Sequence, residues 1–193
     1  MTTTYGYEKT KRILDIIIGI VSLIIFIIPM IIIGILIKLT SKGPAIHWAK
    51  RIGKNNTVFM MAKFRTMRED TPVQDISTLS HPESYFAPLG YFLRQTGIDE
   101  LPQIYNVLKG NMSFVGPRPV LYNHLDVIEL RNKKDIHKTM PGLTGLAQIR
   151  GENHVSAINR VRYDEFYVNN KSLMLDLKII MLTSLHLFKK NVY

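Results

Sequence analysis

The chain has 193 residues, a formal net charge of +10 and no cysteine. The missing cysteine excludes disulfides, thiolate metal sites and cysteine nucleophiles. The excess of 25 Lys and Arg over 15 Asp and Glu favours anionic partners: lipid headgroups, phosphorylated small molecules or nucleic acid.

The first element is an apolar run from Ile16 to Ile37 that contains no charged residue. As a helix it is about 33 Å long, enough to cross a hydrocarbon core of roughly 30 Å. Two topologies stay open: a single span, or a helix that breaks at Ile28 and Pro29 and returns to the same side. Basic residues on both flanks suit the second, in which both ends stay in the cytosol. Asp15 is expected at the interface, paired with a nearby Lys or Arg.

The run divides the chain into residues 1–42, associated with the membrane, and residues 43–193, a domain of ordinary size. The first segments of the domain, 45–51 and 58–67, read as a hairpin joined by the polar turn Gly53-Lys-Asn-Asn56. Lys63 and Arg65 share one face of its second strand. That face is either solvated or part of an anion site.

Two short helices are predicted next. The first covers 85–95 and carries Arg94. The second covers 103–109, because Pro102 suits a first helical turn and Gly110 suits a helix end.

Between these helices stand two adjacent acids, Asp99 and Glu100. Acids at a helix start commonly cap it and complement its dipole. With cations nearby they also suit a metal-assisted phosphate site, since Mg²⁺ takes one or two carboxylates plus phosphate oxygens. A carboxylate can, in addition, attack phosphorus and form an acyl phosphate.

The rest of the domain mixes short strands with helices, so we predict an α+β fold. The rigid segment Gly116–Pro119 projects Arg118 from a loop, and Gln148 stands in a short strand. The last helix is strongly apolar and lies either in the core or on the membrane surface. The predicted elements are a strand over 112–115, a helix over 120–132, a strand over 146–150, and helices over 156–168 and 173–188.

Taken in order, these segments resemble the bacterial sugar transferases known as monotopic phosphoglycosyl transferases, in their minimal form. The resemblance covers nearly the whole chain, and its acid-pair and Gly-Pro-Arg-Pro motifs are highly specific. The main matching stretches are Lys11-Arg-Ile-Leu-Asp15, Lys63-Phe-Arg-Thr-Met67, Ile98-Asp-Glu-Leu-Pro-Gln103, Met112-Ser-Phe-Val-Gly-Pro-Arg-Pro119 and Pro141-Gly-Leu-Thr-Gly-Leu-Ala-Gln148.

The resemblance implies a re-entrant membrane helix, helices lying at the membrane interface, and a catalytic domain on the cytosolic face of the bacterial inner membrane. It implies transfer of a sugar 1-phosphate from a UDP-sugar to polyprenyl (undecaprenyl) phosphate, the first membrane step of glycan assembly. The glycan could be a capsule, an O-antigen, an exopolysaccharide or a glycoprotein. The enzyme would be a transferase of substituted phosphate groups, dependent on Mg²⁺.

By the same resemblance Asp99 attacks the sugar-linked phosphorus and becomes a phosphosugar-aspartate. Glu100 helps to hold Mg²⁺ together with Asp99, or it orients the Asp99 side chain. Arg94 grips phosphate. The remaining side chains expected to line the site are Lys63, Arg65, Arg118 and Gln148.

Two departures from the family pattern stand out. Ile28 replaces a small polar residue before the membrane proline, and Glu152 replaces a cation near substrate. Arg150 could supply that charge, but on a strand it would point to the opposite face from Gln148 and Glu152.

The sequence leaves several matters open. It does not identify the sugar or the glycan pathway, and it leaves a homodimer open. The alternative function is a non-catalytic membrane-anchored scaffold of a glycan-assembly complex. Nucleic-acid binding ranks last, because aromatic residues do not interleave with the basic stretches, and we expect no nucleic-acid partner.

Overall fold

The computed structural model describes residues 2–72, 81–150 and 156–190. It mixes helices with short strands, as predicted. The helices are α1 (Thr2–Thr40), α2 (Gly90–Thr96), α3 (Gln103–Lys109), α4 (Leu125–Lys133), α5 (Leu146–Ile149), α6 (Ala157–Asn170) and α7 (Leu173–Lys190). The strands are β1 (Ile46–Ile52), β2 (Val58–Phe64), β3 (Ser113–Val115), β4 (Val120–Leu121) and β5 (Gly142–Thr144).

Helix α1 is long and apolar enough, over Gly6–Thr40, to cross a membrane by length and composition. It is one helix with Pro29 inside it, so the interruption predicted at Ile28 and Pro29 is not seen. A proline removes a single backbone donor, and a helix can continue past it with a kink. The middle of α1 is exposed, with Ile24 at 70% and Ile28 at 67% of full exposure.

Both ends of α1 pack on the rest of the chain. Near its start, Arg12 donates to carbonyl oxygens at the end of α3, and near its end Ile37 is buried in one cluster with Phe64 and Leu93. The two ends of the apolar helix therefore contact the same folded domain.

Three charged residues near the start of α1, Lys11, Arg12 and Asp15, each bind a different element. Their partners are, in turn, Asp176 of α7 at 2.8 Å, the carbonyl oxygens of Val107 and Leu108 at 2.7 and 2.9 Å, and Ser113 Oγ with the Phe114 N–H, both at 3.1 Å. The pairing expected for Asp15 is therefore wrong: both neighbouring cations bind elsewhere, and its carboxylate holds β3.

The predicted hairpin is confirmed. Strands β1 and β2 pair antiparallel from Ile46↔Phe64 to Ile52↔Val58, and β4 extends the sheet on the other side of β1. Strands β3 and β5 form a separate parallel pair. Helix α3 packs on the hairpin, and its Val107 is buried in one cluster with Phe59 and Met61.

Three local predictions need correction. The strand expected over 146–150 is helix α5, because Gly142–Thr144 takes the place beside β3. The argument that Arg150 faces away from Gln148 across a strand therefore fails. The helix expected from Val120 begins instead at Leu125, since Val120 and the next residue pair with β1. Glu152 lies outside the described residues.

Helix α7 buries one face in the core and exposes an apolar face on the other side. Ile179 is buried against Val115 and Tyr167. The opposite side exposes a row of apolar residues at helical spacing: Met174, Leu177, Met181 and Leu185.

Candidate active site

The two adjacent acids lie on a single helical turn, Ile98–Glu100, between α2 and α3. Gly97 ends α2 with a φ of 74°, a left-handed conformation that favours glycine. Helix α3 then begins after Pro102, as predicted. This tight connection fixes Asp99 and Glu100 between the hairpin and the loop that follows β3.

Two cations neutralise Glu100. Its Oε1 accepts hydrogen bonds from Lys63 Nζ and from Arg118 Nη2, each at 2.6 Å. Burial alone would raise the pKa of Glu100, but Arg118 and Lys63 outweigh it and lower the pKa well below the ordinary value. Glu100 is therefore ionised at all physiological pH values.

Asp99 has a different environment, although it is the adjacent residue. It is 7% exposed, and among the described residues no hydrogen bond reaches its carboxylate. Burial raises its pKa; Lys63 opposes the rise, and the nearby Glu100 charge adds to it. A carboxylate that is buried, unbonded and raised in pKa is more basic than an ordinary aspartate, which suits a nucleophile.

Lys63 and Arg118 are placed by different elements. Lys63 lies near the end of β2, opposite His47 of β1, and its burial lowers the pKa of its ammonium group. The backbone at Arg118 is fixed by Arg131, whose Nη1 donates to the Arg118 carbonyl at 2.9 Å. Arg131 is held in turn by Asp164 at 2.5 Å.

We call Lys63, Asp99, Glu100 and Arg118 the acid–cation cluster. The sequence predicted all four residues, and the fold brings them together from three separate stretches of chain. The sequence did not predict that Arg131 and Asp164 support this cluster. Asp164 lies in the stretch Tyr163-Asp-Glu-Phe-Tyr167, which also resembles the family, and that resemblance was the available signal.

Arg94 lies on the exposed side of α2. Its charge lowers the pKa of Asp99, against the net rise. Its Nη1 is 3.9 Å from Met67 Sδ. Arg94 is thus a solvent-accessible cation near the acid pair.

Arg65 binds groups of the chain just after α1. Its guanidinium donates to the Lys42 carbonyl, to the Ser41 carbonyl at 3.1 Å and to Ser41 Oγ at 2.7 Å. These groups lie just beyond the end of α1, so Arg65 ties that end to β2. The role of Arg65 in binding substrate phosphate therefore stays a prediction, and these contacts do not support it.

Gln148 lies in α5, beside the loop that carries Arg118. A side chain on Gly145 would collide with both Gly116 and the Gln148 amide oxygen, which shows how close they are. That amide oxygen is buried without a hydrogen-bond partner in the described part of the chain. Gln148 thus has an unused acceptor, but no described contact joins it to the acid pair.

Comparison with known proteins identifies the family. The bacterial sugar transferase family profile matches residues 6–190. The chain therefore belongs to the bacterial sugar transferase family.

Among its relatives is the exopolysaccharide production protein ExoY of Sinorhizobium fredii, 36% identical over 190 residues, which cover 90% of this chain and 83% of the relative. A UDP-glucose:undecaprenyl-phosphate glucose-1-phosphate transferase of Klebsiella pneumoniae is 38% identical over 180 residues, covering 90% of this chain and 39% of the relative. An uncharacterized sugar transferase of Haemophilus influenzae is 37% identical over 188 residues, again 90% of this chain and 40% of the relative. The chain thus spans less than half the length of two of these three relatives.

Proposed function

We propose that the protein transfers a sugar 1-phosphate from a UDP-sugar to undecaprenyl phosphate, and that the transfer passes through a phosphosugar-aspartate at Asp99. The relatives named for UDP-glucose and undecaprenyl phosphate support the substrate classes. Others are named for exopolysaccharide production or as a galactosyl transferase. The product would therefore enter polysaccharide synthesis.

The observation that carries the proposal is the contrast between two adjacent carboxylates. Glu100 is paired through Oε1 with Lys63 and Arg118, whereas Asp99 is buried and accepts no hydrogen bond from the described residues. The cluster offers a carboxylate with no hydrogen bond from the described residues on either oxygen, and the cations Lys63 and Arg118 stand beside it. Positive charge is needed here because a diphosphate would otherwise repel an anionic nucleophile.

The chemistry proceeds by two displacements at one phosphorus atom. An Asp99 carboxylate oxygen forms a bond to the sugar-linked phosphorus, and the bridging oxygen leaves with its electron pair as UMP. A phosphate oxygen of the lipid then attacks the same phosphorus. The aspartyl–phosphorus bond breaks and restores the Asp99 carboxylate, so that neither step needs a net proton transfer.

The cluster also fits a Mg²⁺ ion, which we propose as the cofactor. Among the described residues, no group of three or more His, Asp or Glu side chains could hold a metal. Mg²⁺ does not need such a group, since it binds through one or two carboxylates plus substrate phosphates. Asp99 has free acceptor capacity, and Glu100 retains lone pairs on Oε2. The ion would neutralise charge on the diphosphate.

We further propose that α1 kinks at Pro29 within the membrane, so that both of its ends stay on one side, with the domain on the cytosolic face. A single span would separate the two ends of the helix by roughly 30 Å of hydrocarbon. Both ends, however, pack on one domain with polar ties: Arg12 binds the end of α3, and Arg65 binds Ser41. The exposed stretch around Ile24 and Ile28 is then the part that enters the lipid.

Exposed apolar residues on α2 and α7 support helices lying on the membrane surface. Tyr91 and Phe92 are each more than half exposed, and so are Met174 and Met181. Leu93, on the buried side of α2, packs with residues of α1. Arg94 would therefore stand close to the lipid surface, where the phosphate of undecaprenyl phosphate arrives.

The test is a panel of UDP-sugars offered to the purified protein with undecaprenyl phosphate in detergent, with and without Mg²⁺. We expect UMP release and a polyprenyl diphosphate sugar for at least one donor, and a phosphosugar adduct on Asp99 when donor alone is quenched. If no donor of the panel gives lipid product, the scaffold alternative stands. Full turnover with no adduct would instead overturn the covalent step.

A further inference from the structure

The short strand β3 has an unusual support. In the described chain it pairs with one strand only, β5. Two of its backbone groups are bound by side chains from other elements instead of by a second strand. The Phe114 N–H donates to Asp15 Oδ1 at 3.1 Å, and the Val115 carbonyl accepts from Tyr167 OH at 3.2 Å.

Both of these side chains are buried and held by further bonds. Asp15 is 5% exposed and also accepts from Ser113 Oγ. Tyr167 is 1% exposed, and its hydroxyl lies 2.8 Å from Asp176 Oδ1. The grip on β3 is therefore precise, because neither side chain is free to move.

The same carboxylate of Asp176 binds the start of α1. Its Oδ2 accepts from Lys11 Nζ at 2.8 Å and from Tyr7 OH at 2.9 Å. We call Tyr7, Lys11, Tyr167 and Asp176 the anchor network. Through it and through Asp15, the first turns of α1 determine where β3 lies.

The position of β3 matters for the acid–cation cluster, because the chain runs from Val115 through only two residues, Gly116 and Pro117, to Arg118. Proline restricts the backbone on both sides of the arginine. A displacement of β3 is thus passed to the Arg118 guanidinium, which lies 2.6 Å from Glu100.

We propose that Asp15 and Tyr167 are positioning residues, which fasten β3 and thereby hold Arg118 against Glu100. The inference rests on the proposed function, since it assigns the two residues to that reaction. Under this proposal the acid–cation cluster assembles correctly only when α1 is packed in place against β3. Asp15 lies on α1, and Tyr167 lies on α6.

The first test is a series at Asp15. In Asp15→Ala we expect kcat to fall about 10- to 100-fold with the donor KM little changed, as for a small misplacement of a catalytic group. Asp15→Asn keeps an acceptor oxygen for the Phe114 N–H and should stay within about 3-fold of the wild type. The matched control is Glu8→Gln, which removes an ion pair between α1 and Lys171 without touching β3.

A double-mutant cycle with Arg118→Ala separates positioning from general damage. If Asp15 acts through Arg118, Asp15→Ala causes no further loss of kcat in the Arg118→Ala background. Two losses that multiply would overturn the proposal. Tyr167→Phe gives the same test with the aromatic ring kept, and it carries the test if Asp15→Ala does not fold.

Hydrogen exchange provides a readout that does not depend on activity. In Asp15→Ala and Tyr167→Phe, amides over 113–118 should exchange faster, whereas Glu8→Gln should leave them unchanged. Unchanged exchange in both variants would overturn the proposal even if transfer is confirmed. Absence of transfer in the wild type would refute the proposed function, and faster exchange would still establish the grip on β3.

Discussion

The acid–cation cluster and the anchor network are built from the same components and differ in completeness. Each has a buried carboxylate near a lysine whose side chain is less than one-fifth exposed. At Asp176, Oδ2 accepts from Tyr7 and Lys11, and Oδ1 lies 2.8 Å from the Tyr167 hydroxyl, which shares its one proton with the Val115 carbonyl. At Asp99 no described hydrogen bond reaches the carboxylate, although cations lie close.

The difference shows how this fold separates support from chemistry. A carboxylate whose hydrogen bonds are all made inside the protein stabilises the structure when ionised and has no reason to react. A buried carboxylate without such bonds costs stability and keeps its lone pairs for a substrate. The following changes would break or sharpen this comparison, in order of expected effect.

The largest effect is expected at the incomplete site. Asp99→Asn should lower UMP release by more than about 10³-fold, because it removes the attacking oxygen. It should also raise the thermal midpoint at neutral pH. Burial raises the pKa of Asp99, so the folded state resists its ionisation and the neutral amide relieves that cost.

The size of this gain in stability depends on pH. Because the folded pKa of Asp99 exceeds the unfolded value, its penalty is present above the folded pKa. The penalty disappears as the pH falls to the ordinary range of an aspartate. Calorimetry of both proteins across that range should show the gain of Asp99→Asn shrinking on acidification. A lower thermal midpoint at neutral pH would contradict the comparison.

A smaller loss is expected for Glu100→Gln, which removes the charge that holds Lys63 and Arg118 together. We expect turnover to fall about 10²-fold and the unfolding free energy to fall by on the order of 2 kcal/mol. Since its cations lower the pKa of Glu100, the wild-type advantage should be lost as the pH falls through that lowered value. Urea titration at two pH values measures it, and equal stability of the two proteins at neutral pH would argue against the ion pairs.

In the anchor network, Lys11→Met should affect stability more than chemistry. It leaves Asp176 ionised and buried without its cation, which costs about 3 kcal/mol. Turnover per folded molecule should fall less than in Glu100→Gln. Thermal unfolding and titration of active sites with labelled donor separate the two effects, and a loss of turnover without a loss of stability would place Lys11 in the reaction.

The smallest effect on substrate is expected for Arg65→Lys. The lysine cannot bind both Ser41 and Lys42 as the guanidinium does, so the end of α1 should loosen and the thermal midpoint should fall by a few degrees. The donor KM should stay unchanged if Arg65 only ties α1 to β2. A raised KM with an unchanged midpoint would restore its predicted role at phosphate.

The sequence by itself determined the local elements with clear start and stop signals. The hairpin and α3 were predicted because Gly53, Pro102 and Gly110 punctuate the apolar pattern. The family resemblance added the acid pair and the cations around it, since those motifs are contiguous and specific. The predictions failed where the signal was weak: α5 is too short for a helical period to show.

Tertiary structure alone decided which of the charged residues meet. Lys63 lies on β2 and Arg65 directly follows that strand, yet one binds Glu100 and the other binds Ser41. Asp15 has two cations within four residues and binds β3 instead. Charge attracts without direction, so a sequence shows which groups could pair; only the packing of α1 and the sheets sets the distances that choose among them.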